Sequence, residues 1–496
     1  MGILYFSVTR RTQFRLLVAL TIVWVAWAGW SLLGQATPYT LRVLDDLGTP
    51  VASAVVDVGG DQAGSADVDG LVEMDWSRSS NILEVSAPGH VSQMLTIGER
   101  PEGVVDVVLK ARVLRGRVVD KDEIPLASVS VTAGPATDVT DAEGNFIVRG
   151  AEPGYVSVTR PAWVPTGFEW DGGPGESLVE MNPFTARAVH ITGEAVAADL
   201  DRFVEMAQTS ELNALMIDLK NERGFVWYQS ENPTALEVDA VQGAYDLAAV
   251  AERADSANLY LIGRLVIFND PIAAVALPQM AVWDSATNAP LETNSQRFLD
   301  PTDPEARAYA LELAAEACGL GVDEIQFDYV RFPDNRPDSS QFDGGSPTPE
   351  LRRATITSFL VEAIELLHPM GCAVAADVFG FVTAPSVEFP DGGIGQNWED
   401  VTNLVDVVSP MVYPSHYDPE AYGFENPTDH PGPMVNNALR DGVERLTGTV
   451  IVRPWLQDFS YTESQVRAQI DVVESYGLGW MLWNGASEVT TGALLP

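Results

Sequence analysis

The stretch Glu324-Ile-Gln-Phe-Asp-Tyr-Val-Arg-Phe-Pro333 decides the reading of this chain. A short apolar strand there runs straight into Asp328, Arg331 and an aromatic-proline loop. In a parallel α/β barrel, side chains at the carboxyl ends of the strands line the active site, so a carboxylate at this point suggests catalysis. The nearby cation of Arg331 favours the ionised form of Asp328, which a nucleophile or a stabiliser of a sugar cation needs. The competing reading is a local ion pair between Asp328 and Arg331 at i,i+3, with no catalytic meaning.

The same rhythm extends to both sides. From Arg187 onward, apolar strands alternate with amphipathic helices. Strands are expected at Ala188–Thr192, Ala214–Leu219, Tyr260–Phe268, Glu324–Phe327, Ala373–Val378, Val405–Val412, Val450–Arg453 and Gly479–Trp483. Helices fit between them, as at Pro304–Ala317, with Asp303 as N-cap and Pro304 in the first position, and at Pro349–Leu367. Eight strand–helix units in about 310 residues have the size and count of a (β/α)8 TIM barrel. A doubly wound open sheet is the alternative, but no GxGxxG or phosphate loop supports it.

Upstream, the chain is β-like and repeats itself. Leu41-Arg-Val-Leu-Asp-Asp-Leu-Gly-Thr-Pro-Val-Ala-Ser-Ala-Val-Val-Asp-Val58 aligns without gaps to Gly116-Arg-Val-Val-Asp-Lys-Asp-Glu-Ile-Pro-Leu-Ala-Ser-Val-Ser-Val-Thr-Ala133. Both copies read strand, Asp-containing turn, Pro, strand. Alternation at Val129, Val131, Phe146 and Val148 between Gly and Asp turns argues for short antiparallel strands in a sandwich. This frame resembles the carboxypeptidase regulatory-like domain, which implies two small all-β sandwiches acting as spacer or adhesive modules. Asp67, Asp69, Asp141 and Glu143 lack the spacing of an EF-hand loop and read better as turn residues than as calcium ligands. The expected organisation is a basic stub and anchor over 1–36, sandwiches over 37–110 and 111–183, and the barrel over 187–496.

Composition excludes some partners. With 70 acidic against 29 basic residues the net charge is −41, so nucleic acid is not an expected partner. Lys110, Lys121 and Lys220 are the only lysines, a pattern that fits either a salt-exposed acidic surface or nucleotide bias in the genome. Leu16–Leu33 is an uncharged apolar run behind Arg10, Arg11 and Arg15, which suits a membrane anchor with the later domains outside. A signal peptide cleaved near Gly34-Gln35-Ala36 is the competing view. Cys318 and Cys372 match neither a redox pair nor a zinc site; buried apolar residues and a disulfide both stay open. No metal or cofactor is implied, and the oligomeric state is not legible.

The carboxyl ends of the strands collect Asp218, Lys220, Arg264, Asp270, Asp328, Arg331, Asp377, Ser409, Tyr413, His416, Arg453, Trp455, Gln457, Asp458, Trp483 and Asn484. Flat aromatic faces suit the apolar face of a sugar ring, while Arg, Gln and Asn suit its hydroxyls, so the set has the character of a carbohydrate site. Its carriers are Ile217-Asp-Leu-Lys-Asn221, Gly263-Arg-Leu-Val-Ile-Phe-Asn-Asp-Pro271, Ile325 to Pro333, Ala376-Asp-Val-Phe-Gly380, Ser409-Pro-Met-Val-Tyr-Pro-Ser-His-Tyr417, Arg453-Pro-Trp-Leu-Gln-Asp-Phe459 and Trp480-Met-Leu-Trp-Asn484. From about His190 to Asn484 these segments resemble a family long catalogued as a domain of unknown function. That family is described as glycoside hydrolases with a barrel related to the α-amylase superfamily. The resemblance implies a TIM-barrel glycosidase acting on an oligosaccharide or polysaccharide.

Glycoside hydrolysis normally uses two carboxyl groups. Asp328 and Asp377 end adjacent strands, and a spacing of about 4.8 Å suits the roughly 5 Å separation of a retaining pair. Asp328 is therefore the expected nucleophile and Asp377 the expected general acid/base, its pKa raised by Val378, Phe379 and Phe381. A purely structural Asp377 is the duller account; Asp458 is the competing acid, although binding of sugar hydroxyls is its expected role. Lys220 either contacts substrate or pairs with Asp218 or Glu222; His416 is either a donor or proton shuttle, or a loop-stabilising residue. The remaining candidates, Asp218, Arg264, Asp270, Arg331, Tyr413, Arg453, Trp455, Gln457, Trp483 and Asn484, are expected to bind sugar, with Trp455 and Trp483 stacking on rings. Rival functions are a catalytically silent polysaccharide-binding protein and a deacetylase, which needs a metal-ligand set the sequence lacks.

Overall fold

The computed structural model describes residues 15, 17–25, 37–76, 82–386 and 389–496. Residues 17–25 are helical and exposed, while most of the expected anchor and its cleavage segment lie outside the described residues. Among the described residues no helix is long and apolar enough to cross a membrane. The chain divides into two compact units, one of Met1–Val119, Ala127–Val158 and Thr166–Val179, the other of Asp120–Leu126, Thr159–Pro165 and Glu180–Pro496.

The first unit is strand-rich. Thr37–Asp45 pairs with Leu71–Trp76 and Val104–Ala111 in one sheet, and Val55–Val58 pairs with Asp61–Ser65 and Ile82–Ser86 in another. Leu41, Val43 and Val107 of the first sheet share a core with Val56 and Val85 of the second. The sequence repeat reappears as geometry. Asp45 accepts from the amides of Leu47 and Thr49, and Asp120 accepts from those of Asp122 and Ile124. Asp67 and Asp141 close turns in the same way, each accepting two backbone amides, so they are turn residues.

In the second unit, eight strands close into a parallel ring: β1 Arg187–Ile191, β2 Ala214–Lys220, β3 Tyr260–Val266, β4 Glu324–Asp328, β5 Ala373–Phe379, β6 Val407–Val412, β7 Ile451–Val452 with Trp455–Gln457, and β8 Trp480–Trp483. Every neighbour is parallel, and β8 returns to β1 through Val189 beside Leu482. This is the TIM barrel that the strand count predicts. Pro454, which has no amide hydrogen, falls at the break in β7. Asp303 caps the helix Pro304–Gly319 by accepting from the amides of Glu305 and Ala306. Cys318, at the end of that helix, is joined to Cys372, just ahead of β5, by a disulfide. The two barrel units bring their Cα atoms to 6.0 Å, which resolves the choice the sequence left open.

Alternation along β4 sorts its side chains. Ile325 and Phe327 pack outward with Phe359 and Leu360, each burial contributing about 1.5–3 kcal/mol. Glu324, Gln326 and Asp328 point the other way, into the ring, where all three are buried. Most of that interior is small or apolar, with Ala188, Ala214, Met216, Ile262 and Met481 among its members. The polar stripe of β4 therefore needs partners from across the ring.

Candidate active site

Register supplies those partners. Asp218 on β2 lies beside Arg264 on β3, and Val266 lies beside Asp328 on β4. Arg264 spans one row of the sheet. Its Nη1 donates to Asp218 at 2.8 Å, and its Nε and Nη2 donate to one oxygen of Asp328 at 2.9 and 2.6 Å. Burial opposes the guanidinium charge, but Asp328 and then Asp218 outweigh it and push the pKa of Arg264 well above its ordinary value. Burial likewise opposes the charge of Asp218, yet His190 and Arg264 hold its pKa below the usual range. His190 stacks on Trp483 at 4.1 Å, with Nε2 2.9 Å from Asp218 and Nδ1 3.1 Å from the carbonyl of Asn484. Both ring nitrogens thus face oxygen atoms, which fixes the orientation of the ring.

Asp328 is the carboxylate of this network that meets open space. Its second oxygen accepts the amide of Tyr329 at 2.7 Å, and Tyr329 holds a φ of 55°, a left-handed conformation costly for a bulky side chain. A cavity of about 780 Å³ opens in front of it, walled by Glu222, Arg331, Phe379, Tyr413 and Trp483 among others. The guanidinium of Arg264 lies 4.7 Å from the Trp483 ring centroid.

One strand over, continuation of the Phe327–Ala376 register sets Asp377 beside Asp328. Its surroundings are different. Oδ1 accepts from Gln326 Nε2 at 2.6 Å and from Trp455 Nε1 at 2.5 Å, whereas Oδ2 has no partner among the described residues. Burial, and then the charge of Asp328, push this carboxyl well above the ordinary carboxylate range. Since Oδ1 is occupied by two donors, the proton of the neutral acid belongs on Oδ2. Behind Asp377, Gln326 accepts from Arg453 Nη2 at 2.8 Å, and Arg453 pairs with Glu324, so a polar ladder crosses the barrel interior.

The comparison with known families acts on this frame. Residues 188–488 match the model of the family described as "Putative glycosyl hydrolase domain" (DUF4015). The chain belongs to that family. Among solved structures, this glycosyl hydrolase domain is similar to a hypothetical protein from Ruminiclostridium thermocellum ATCC 27405, at 35% identity, 38% of this chain, 97% of that chain and a TM-score of 0.35. The glycoside hydrolase domain of PgaB (BpsB) from Bordetella bronchiseptica is 12% identical over 61% of this chain and 95% of that one, TM-score 0.45. That of PelA from Pseudomonas aeruginosa is 12% identical over 61% and 96%, TM-score 0.36. No curated relative matches.

Within the glycosyl hydrolase domain, the cavity wall gathers Asp328, Arg264, Arg331, Tyr413, His416, Trp455 and Trp483 from the expected set. Others sit elsewhere. Lys220 forms an ion pair with Asp270 at 2.9 Å, not with Asp218 or Glu222, and both members are sealed from solvent. Asp270 also caps the helix Pro271–Ala276, so the pair braces a loop instead of facing sugar. Arg453 is committed to Glu324 and Gln326. Gln457 donates to the carbonyl of Phe459 and accepts from Ser415, and Asn484 donates to the carbonyls of Asp458 and Glu488. Asp458 is raised by burial, but its Oδ2 accepts the amide of Thr490, and the residue is not on the cavity wall. Asp218 lies behind Arg264, off the wall.

Three expectations need correction. Arg331 donates to Asp334 and lies about 5 Å from the rings of Phe298, Tyr329 and Phe379, so Asp328 is clamped from β3 and not by its own loop. Trp455 is only 1% exposed and is spent on Asp377, which makes it a core residue with one edge on the wall. Asp377 itself has no exposed surface and does not line the cavity. His416 keeps its place on the cavity wall, and burial lowers its pKa. The reading of the strand ends missed His190, Gln326, Glu222 and Tyr329. Gln326 alone left a signal, standing two residues before Asp328 on the same face of β4.

Proposed function

We propose that this domain cleaves glycosidic bonds of an extracellular or cell-envelope polysaccharide, with Asp328 acting at the anomeric carbon and Asp377 supplying the proton. One observation carries the reading. Two carboxyl groups stand on adjacent strands in opposite surroundings, one clamped by Arg264 and facing an aromatic-walled cavity, the other buried with its pKa pushed up. Glycoside hydrolysis needs this division, an ionised group to meet the sugar cation and a protonated one to meet the leaving oxygen. The adjacent register favours the short carboxyl separation of a retaining mechanism.

Delivery of the proton requires the Oδ2 of Asp377 to be uncovered as substrate seats, because it is sealed in the free protein. A second reading is favoured by Glu222, whose carboxylate is on the cavity wall and 3.7 Å from Arg264. Release of reducing ends from a panel of envelope glycans tests hydrolysis, and a protein that binds without release is the silent alternative. Aryl glycosides with good leaving groups then identify the acid: Asp377→Asn spares them in part, whereas Glu222→Gln does so if Glu222 is the donor. Glycosyl azide of retained configuration from the impaired variant supports the retaining course.

Export with a tether at residues 16–33 fits this substrate. The Cys318–Cys372 bridge supports it, since disulfides persist in oxidising compartments. Residues 37–110 and 111–183 then serve as carboxypeptidase regulatory-like spacers between membrane and barrel. Protease accessibility of the barrel on intact cells checks the orientation.

A further inference from the structure

A second cavity, of about 1170 Å³, lies among the segments that follow β4 and β5. Its volume exceeds the roughly 300–1,000 Å³ typical of a pocket for one small ligand. It adjoins the reaction cavity, for Phe381 and Asp418 stand on both walls. Phe381 is 49% exposed, and its ring lies close over Gly392, where a Cβ would press on it. Phe379, 5.5 Å away, continues the aromatic surface toward Asp328.

Charge on the walls narrows the occupant. Arg331 is tied to Asp334, Arg336 to the carbonyls of Pro333 and Gly393, and Arg445 to Glu399 and the carbonyls of Val382 and Thr383. The walls also carry Glu222, Asp338 and Asp418. A polyanionic chain would meet carboxylates while the guanidinium groups are already engaged.

We propose that the two cavities are consecutive parts of one cleft that holds a neutral or amino-bearing polysaccharide across Asp328, with Phe381 as the stacking platform between them. The proposal deepens the function above and depends on it for cleavage within the chain, not for binding.

Electrophoresis of full-length Asp328→Asn protein through gels containing hydroxyethylcellulose, glycol chitosan or alginate tests it, since this variant leaves the probe undigested. Retardation is expected in one of the first two gels and not in alginate; glycol chitosan slows any protein of net charge −41, so retardation there counts only as far as Phe381→Ala reduces it. Phe381→Ala in that background should weaken the apparent affinity roughly 2- to 12-fold, and Phe381→Trp should restore it. Retardation in none of the gels, preference for alginate, or an alanine variant that migrates like its parent overturns the cleft. Binding without any release of reducing ends by the wild type removes hydrolysis and leaves the cleft standing. Conversely, release of single sugars from chain ends, with kcat/KM unchanged by Phe381→Ala, leaves hydrolysis and removes the cleft.

Discussion

The mouth of the barrel and its interior hold similar side chains and use them in opposite ways. At the mouth, Asp218, Arg264, His190 and Asp328 form a charged network that ends on an open cavity. Inside, Oδ1 of Asp377 accepts from the neutral donors Gln326 and Trp455, and the charge of Arg453 is spent on Glu324 below. Asp328 and Asp377 are neighbours in register, so distance along the strands does not separate them. What differs is whether the partner is a guanidinium or a neutral N–H, and whether water can reach the group.

The largest effect should come from the mouth. Asp328→Asn keeps shape but removes the charge, and turnover should fall by several orders of magnitude with the melting transition intact. Activity within tenfold of wild type would put the chemistry elsewhere. For the interior, Arg453→Met leaves Glu324 buried without its cation and should cost about 3–5 kcal/mol in denaturant unfolding. Adding Glu324→Leu to that variant should recover much of the loss; no recovery would mean the arginine acts through packing.

The two tryptophans sharpen the contrast. Trp455→Ala should destabilise by about 3–5 kcal/mol, as expected for a buried aromatic. Trp483→Ala should instead raise KM, consistent with a stacking contribution of about 0.5–1.5 kcal/mol, with a smaller shift in Tm. Equal thermal losses in both would erase the distinction between wall and core.

The smallest effect is a pH signature. Because the folded-state pKa of Asp377 is raised, the native protein keeps this proton after the unfolded chain has released it, so stability falls as pH rises above the unfolded value of about 3.9. Asp377→Asn mimics the neutral acid. Its Tm should match wild type near pH 3.5 and exceed it by pH 8. Asp218 has the opposite sign: its pKa is lowered, so its contribution is present above the unfolded value and lost as pH falls through the folded one. A Tm difference that shrinks with rising pH in Asp377→Asn would show the carboxyl to be ionised in the folded state.

Period and punctuation sufficed for the strands, because a buried parallel strand must be apolar and its helices must be capped. That is why eight strands, the Asp303 cap and the position of Asp328 at a strand mouth are legible without coordinates. The partner of Asp328 is not legible. Arg331 is three residues away in sequence, yet the clamp is Arg264 from the neighbouring strand, and only the stagger between β3 and β4 decides that. Lys220, Arg453 and Asp458 likewise sit near strand ends but turn to partners inside the fold. Sequence by itself determined where the eight strands fall, to within a few residues at their ends, through local alternation and capping. Tertiary structure alone decided which of them meet the cavity, which are neutralised and which stay charged, because desolvation and ion pairing depend on side chains brought together from distant strands.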